Sequence, residues 1–211
     1  MDEIILSVYD TLRIEKVKET LAILELNSLH LNTVLNEVTN SSANFPYHNA
    51  QHSFTVALNT VKINSYYHSA KNHSSHKLLF LAGLYHDFSH SGGKNSDLVN
   101  VCIAAAKTVE LLAILEPELT NDDVNCVVKY ILATEHPAHH EPTSIGEKII
   151  RDSDLLQWCE PDIDIWLAGL AEELKEPVTV ISTRKFFTTQ ILYTYKAKQE
   201  LFKAGLIQTT Y

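Results

Sequence analysis

Tyr47-His48-Asn49-Ala50-Gln51-His52 opens an apolar-periodic run that continues through Val56, and its four-residue spacing puts His48 and His52 on neighbouring turns of one helix face. Two imidazoles so placed can ligate a metal or move a proton, although helix capping and surface roles use the same residue types. Leu84-Tyr85-His86-Asp87-Phe88-Ser89-His90 ends the apolar run LLFLAGLY, so an imidazole and a carboxylate fall at the end of a buried helix, where an unpaired charge is expensive. An internal ion pair, a cap for the break at Ser91-Gly92-Gly93, or a divalent cation would compensate them. Imidazole with carboxylate suits zinc, manganese or iron. Further on, Asp154 lies one helical turn from Ile150 and from Trp158 and should point inward with them, where it calls for a cation. Asp152 falls on a different face and reads as a solvated or Arg151-associated carboxylate.

A fourth cluster, Thr134-Glu135-His136-Pro137-Ala138-His139-His140, is histidine-dense at a helix end. His139 and His140 read as structural or solvated residues that favour the helix dipole there, while His136 stays open between that role and a place in the site. His30, His68, His73 and His76 fall in a surface pattern or a polar loop and read as exposed. Lys94, in a Gly-rich loop, reads as exposed too, with a substrate phosphate as the sharper alternative. Eleven histidines exceed what packing needs in 211 residues, so these placements decide the reading.

Bringing such clusters together requires helices, and apolar residues do recur at helical rather than alternating spacing, as in Leu31, Val34, Leu35 and Val38, then Val101, Ala105, Val109 and Leu112. The spacing predicts helices over about 2–13, 15–26, 28–39, 49–67, 77–87, 96–115, 121–134, 144–159, 162–174 and 179–203. Asn121 is placed to cap a helix opening with Asp122 and Asp123, and Ser144 with Glu147 forms an S-x-x-E capping box. Pro117, Pro142, Pro161 and Pro177 punctuate the intervals, and the polar stretches 39–46, 68–76 and 136–142 read as loops. No internal repeat or linker divides the chain. At 211 residues one core suffices, so the expected fold is all-α, a single-domain irregular helical bundle over 1–211 with its metal-binding core at about 47–160.

Composition narrows the partners. A net charge of −9 argues against nucleic acid, whose binding depends on Lys and Arg neutralising phosphates, but leaves room for a local basic pocket. With 45% apolar and 20% charged residues the chain is neither disordered nor collagen-like. Cys102, Cys126 and Cys159 have no CxxC spacing and read as buried thiols. The N-terminus is acidic where a signal peptide is positive, and no apolar run approaches the roughly 20 residues of a membrane span. A cytoplasmic protein that binds no membrane is therefore expected. Oligomeric state is not legible.

The order His52, His86-Asp87, Asp154 resembles the HD-domain superfamily of metal-dependent phosphohydrolases. Two stretches are more specifically similar to the catalytic domain of cyclic-nucleotide phosphodiesterases: YHNAQHSFTV (47–56) to that family's Y-H-N-x-x-H-x-x-x-V, and HDFSHSGGKN (86–95) to its H-D-x-x-H-x-G-x-x-N. ILATEH (131–136) resembles an I-L-A-T-D segment, and SDLL (153–156) stands in the place of A-D-L-S. Together they cover about half the chain. Ser89 replaces an aspartate of the second motif, and the chain is much shorter than those catalytic domains. The glutamine and phenylalanine that grip a purine there have only a loose counterpart, Gln190 in FFTTQ, so purine cyclic-nucleotide specificity is not carried over. A compact bacterial-type HD phosphohydrolase, PDEase-like in fold, is the placement.

The resemblance implies His48 as the general acid that protonates the leaving oxygen, and His52, His86, Asp87 and Asp154 as ligands of a divalent metal ion. It also implies a second ion bridged through Asp87, with His90 nearby through bound water; Glu135, beside Thr134, matches a Thr-Asp pair near the site, and His136 and Asn95 fall in the same vicinity. One or two ions among Mn, Mg, Zn, Fe, Co and Ni would serve, since a bound divalent metal lowers the pKa of its water and neutralises phosphoryl charge. The substrate expected is a small-molecule phosphoester, which includes nucleotides. Two rivals stand beside this reading: a di-iron HD-type oxygenase recruiting His90 with His136, His139 or His140, and a non-catalytic nucleotide-sensing module.

Overall fold

Helical periodicity is realised as helix throughout the residues that the computed structural model describes, 8–40, 45–68 and 73–208, with no strand among them. In chain order they form α1 (Val8–Ile23), α2 (Leu29–Asn40), α3 (Ala50–Tyr67), α4 (His73–Tyr85), α5 (Asp97–Leu115), α6 (Asn121–Leu132), α7 (Ile145–Leu155), a 3-10 turn (Leu156–Cys159), α8 (Ile163–Leu174), α9 (Val180–Phe187) and α10 (Tyr195–Lys203). The all-α bundle is built around α3, which is buried on several faces and packs against α1, α4, α7 and the 3-10 turn. On its other sides α4 meets α6 and α7.

Several expected boundaries move, each for a local reason. The two helices expected over 2–13 and 15–26 are one helix, α1, in its described part; residues 2–7 lie outside the described residues. Arg13, Val17 and Leu21 form one buried stripe across the expected break, and Arg13 is neutralised by Asp162 at 2.6 Å and covers the Trp166 ring at 5.2 Å. Thr120, not Asn121, caps α6, in a capping box closed by Asp123, while the box of Ser144 and Glu147 opens α7. The helix expected over 144–159 tightens to 3-10 geometry after Leu155.

Another departure comes from Asp152. Expected on a solvated face, it is fully buried and accepts backbone N–H bonds from Tyr193 at 3.1 Å and Thr194 at 2.6 Å. Those donors are thereby held outside any helix, which divides the stretch expected to be helical over 179–203 into α9 and α10. Burial raises the Asp152 carboxyl to about 6 against these bonds. A carboxyl with a higher pKa folded than unfolded binds its proton more tightly when folded, so it favours folding most below about pH 4, and this advantage fades as pH rises towards about 6. The stability of wild type relative to Asp152→Asn, from urea denaturation, is expected to fall by about 2–3 kcal/mol between those pH values. A difference constant or rising with pH contradicts this.

Burial corrects other readings as well. His30 is fully buried, not exposed: its Nδ1 lies 2.6 Å from the Tyr85 hydroxyl and its Nε2 2.9 Å from Glu116, tying α2 to α4 and to the end of α5. His76 is buried and His68 half-buried, while the side chain of His73 lies outside the described residues. Cys102 is exposed and Cys126 and Cys159 are half-buried, so none is a fully buried thiol. By length and composition α5 is apolar enough to cross a membrane, against expectation; its Val101, Ala104, Thr108 and Leu112 are buried, and it packs on α6.

The contact that sets the site is the crossing of α3 and α4. A Cβ on Gly83 would lie 2.6 Å from the Ala57 Cα and 2.8 Å from its nitrogen, so only glycine lets the two backbones approach this closely. Gly83 is one turn before His86, and Ala57 little more than a turn after His52. Gly83→Ala is therefore expected to force the helices apart, lowering stability by about 1–3 kcal/mol and loosening whatever His52 and His86 jointly hold. Thermal denaturation with metal titration checks both effects; an unchanged midpoint contradicts the first.

Candidate metal centre

Each donor reaches the centre by its own route. Asn49 caps α3, its side-chain oxygen accepting from the backbone N–H groups of Gln51 and His52, which fixes the turn carrying His52. His86 and Asp87 follow the end of α4, and Asp154 comes from the last turn of α7. His52 Nε2 lies 3.0 Å from His86 Nε2, 3.1 Å from Asp87 Oδ2 and 3.2 Å from Asp154 Oδ1. His86 Nε2 is 3.1 Å from Asp87 Oδ2 and 3.6 Å from Asp154 Oδ1.

These spacings suit a cation. Metal–donor bonds of about 2.1 Å put neighbouring donors about 3.0 Å apart at right angles and about 3.4 Å apart in a tetrahedron. The protons point the same way. His86 Nδ1 lies 2.9 Å from the Gly83 carbonyl, which can only accept, so the neutral ring keeps a lone pair on Nε2. His52 Nδ1 pairs with the side-chain oxygen of Gln157, whose amide nitrogen donates to the Tyr47 hydroxyl, and this leaves the Nε2 lone pair of His52 facing that of His86. Two imidazole lone pairs and two carboxylate oxygens thus converge. Partners of this kind on the far nitrogen are what orient metal-binding histidines.

The charge balance of the side chains alone shows how strong the field is. Burial works against charge on His52, yet Asp154 and Asp87 outweigh it and lift its pKa to about 9; His86 is raised by the same carboxylates. Asp87 and Asp154 are held well below the ordinary carboxylate range, their burial overcome by the histidines. Protons on both rings would balance the carboxylates, and a divalent ion satisfies all four groups with the rings neutral. The residues present therefore fit a metal.

Beside this group, His48, Asp87 and His90 present donor atoms within 4.8 Å of one another. His48 Nδ1 lies 2.5 Å from Glu173, whose carboxylate also accepts from the backbone N–H groups of Tyr47 and His48. Burial favours neutral Glu173, but its bonds to His48 hold it below the usual range. Gly169, one turn earlier on α8, gives the room: a Cβ there would meet the Pro46 carbonyl at 2.5 Å. The His48 ring stacks on His90 at 3.8 Å between centroids. Both nitrogens of His90 are engaged, Nδ1 by the N–H of Gly92 and Nε2 by Asn100, which suits it as a platform for His48.

The two groups open on a cavity of 350 Å³, within the usual range for small-molecule sites. Asp97, Glu135, His136, Arg151 and Gln190 line it along with aliphatic and aromatic side chains. Glu135 is buried and accepts from His139 Nδ1 at 2.6 Å; His136 is exposed at the rim, its backbone N–H donating to Asp97 at 2.6 Å. Asn95 is exposed and does not line the cavity; Asn100 is the asparagine that reaches His90. Lys94 is exposed. Among the described residues, His136, His139 and His140 join no group of donors spaced to hold a metal. Glu173, Gln157, Asp97 and Arg151 were not singled out for the site from sequence. Glu173 and Gln157 lie more than 100 residues from the histidines they orient, and no local pattern marks them.

No family model and no curated protein sequence matches the chain. Among solved structures it is similar to the phosphodiesterase domain of the RhoPDE fusion protein from the choanoflagellate Salpingoeca rosetta, with a TM-score of 0.64 at 14% identity over 100% of this chain and 89% of that one. The two share a fold: an all-helical bundle of the phosphodiesterase-domain type.

Proposed function

We propose that the chain is a metal-dependent phosphohydrolase of the HD-domain type that hydrolyses a small phosphoester, with nucleotides the leading class. The observation that carries this is the convergence of four lone-pair donors from three parts of the chain, with histidine–histidine and histidine–carboxylate separations of 3.0–3.6 Å, beside a histidine held by a carboxylate. The fold shared with a phosphodiesterase domain supports it. So does charge: a phosphoester entering a cavity walled by Asp87, Asp97, Glu135 and Asp154 would be repelled without a cation there.

His52, His86, Asp87 and Asp154 would hold the metal, which when bound supplies a water of lowered pKa and polarises the phosphoryl oxygens. The protein's own part is positional and protic. Gln157 and Gly83 fix the two ligand rings so that each presents Nε2. Glu173 anchors His48 through Nδ1, leaving Nε2 to give a proton to the departing oxygen. Tyr47, buried against Trp158 and bonded to Gln157, closes the wall behind His52.

The test is a panel of nucleoside mono-, di- and triphosphates, cyclic nucleotides and non-nucleotide phosphoesters, offered with Mg, Mn, Co or Ni after chelation. Turnover of one class, dependent on metal, is expected. Binding without turnover across the panel would point to a sensing module instead, and oxygen consumption with a mixed-valent di-iron signal to an oxygenase.

A further inference from the structure

Arg151 is the one lysine or arginine in the cavity wall among the described residues, opposite an acidic majority. It stands on α7, one turn before Asp154, so the two side chains rise from neighbouring positions on one helix face. Although the chain has 26 acidic and 17 basic residues, the Arg151 guanidinium has no carboxylate at ion-pair distance and no hydrogen bond among the described residues. The guanidinium carbon lies over the Tyr193 ring, 5.8 Å from its centroid. The hydroxyl of that same tyrosine donates to Glu141 at 2.7 Å. Stacking orients a guanidinium while leaving its N–H groups unspent, and a planar fork of donors matches a phosphate.

We propose that Arg151 forms an anion subsite, so that the preferred substrate is a phosphoester carrying a second phosphate away from the bond that is cut. This rests on the phosphohydrolase reading for which group reacts, but not for whether the subsite exists. The metal group would take the scissile phosphoester and Arg151 the other phosphate. Asp97 and Glu135, the remaining charged side chains of the wall, would disfavour a second anion elsewhere.

A matched pair of chromogenic diesters tests it: thymidine 5′-(p-nitrophenyl phosphate) with and without a 3′-phosphate. In parallel, binding of thymidine 3′,5′-bisphosphate and of thymidine 5′-monophosphate is measured by calorimetry on the metal-loaded full chain. Wild type is expected to favour the doubly phosphorylated member by about 10- to 100-fold in kcat/KM and in affinity, the range of a charge-assisted hydrogen-bonded pair. Arg151→Met should bring the ratio to within about threefold, and Arg151→Lys should restore part of it. No preference in wild type, or one that survives Arg151→Met, overturns the subsite. If neither diester is cleaved, the binding ratio still decides the subsite, and the phosphoester panel decides the phosphohydrolase reading separately.

Discussion

Asp87→Ala is expected to lose bound metal and turnover together. Its Oδ2 lies 3.1 Å from Nε2 of both His52 and His86, and it also groups within 4.8 Å of donor atoms of His48 and His90, so its removal opens both places. It also removes one of the two carboxylates that offset the ion's charge, leaving the cation with Asp154 and two neutral rings. Loss of a partner that only orients a ligand costs about 10- to 100-fold in metal affinity, and loss of a ligand should exceed that. Metal analysis after dialysis against a weak chelator, alongside activity, checks this. Full metal content in Asp87→Ala would mean that the remaining three donors hold the ion unaided.

His48→Ala is expected to separate the two properties: metal retained, rate lower by about 100- to 10,000-fold, the span of general acid–base catalysis. His48 is one turn from His52 but turned towards Glu173, its ring centroid 5.9 Å from that of His52. A leaving group that needs no proton, such as p-nitrophenolate, should narrow the loss, because the acid's contribution is confined to the departing oxygen. If His48→Ala instead released metal, His48 would be a ligand of an ion shared with Asp87 and His90, which their spacing within 4.8 Å would permit.

The parts of this site that could be read from sequence are those whose burial is announced locally. His86 and Asp87 end an apolar helix, and Asp154 falls in register with Ile150 and Trp158, so their inward direction follows from helical spacing. What orients them was not legible. Gln157 sits at Asp154+3 in a turn expected to continue as α-helix, and Glu173 looks like one more acid in AEEL; only the packing of the 3-10 turn on α3, and of α8 on the 46–48 segment that precedes it, gives each its partner. Asp152 and His30 failed in the other direction. Each looks solvated by spacing, yet each is buried because a distant group meets its hydrogen bonds, the 193–194 backbone for one and Tyr85 with Glu116 for the other. The helical period fixed element type well, whereas the division of α9 from α10 depended on that same long-range acceptor.

Crystals of the protein grown with Mn, with diffraction recorded at the metal's absorption edge, test the central claim most directly. The account predicts an anomalous peak within about 2.3 Å of His52 Nε2, His86 Nε2, Asp87 Oδ2 and Asp154 Oδ1. Anomalous density confined to surface carboxylates, with these four side chains closed on one another through protons, would contradict it.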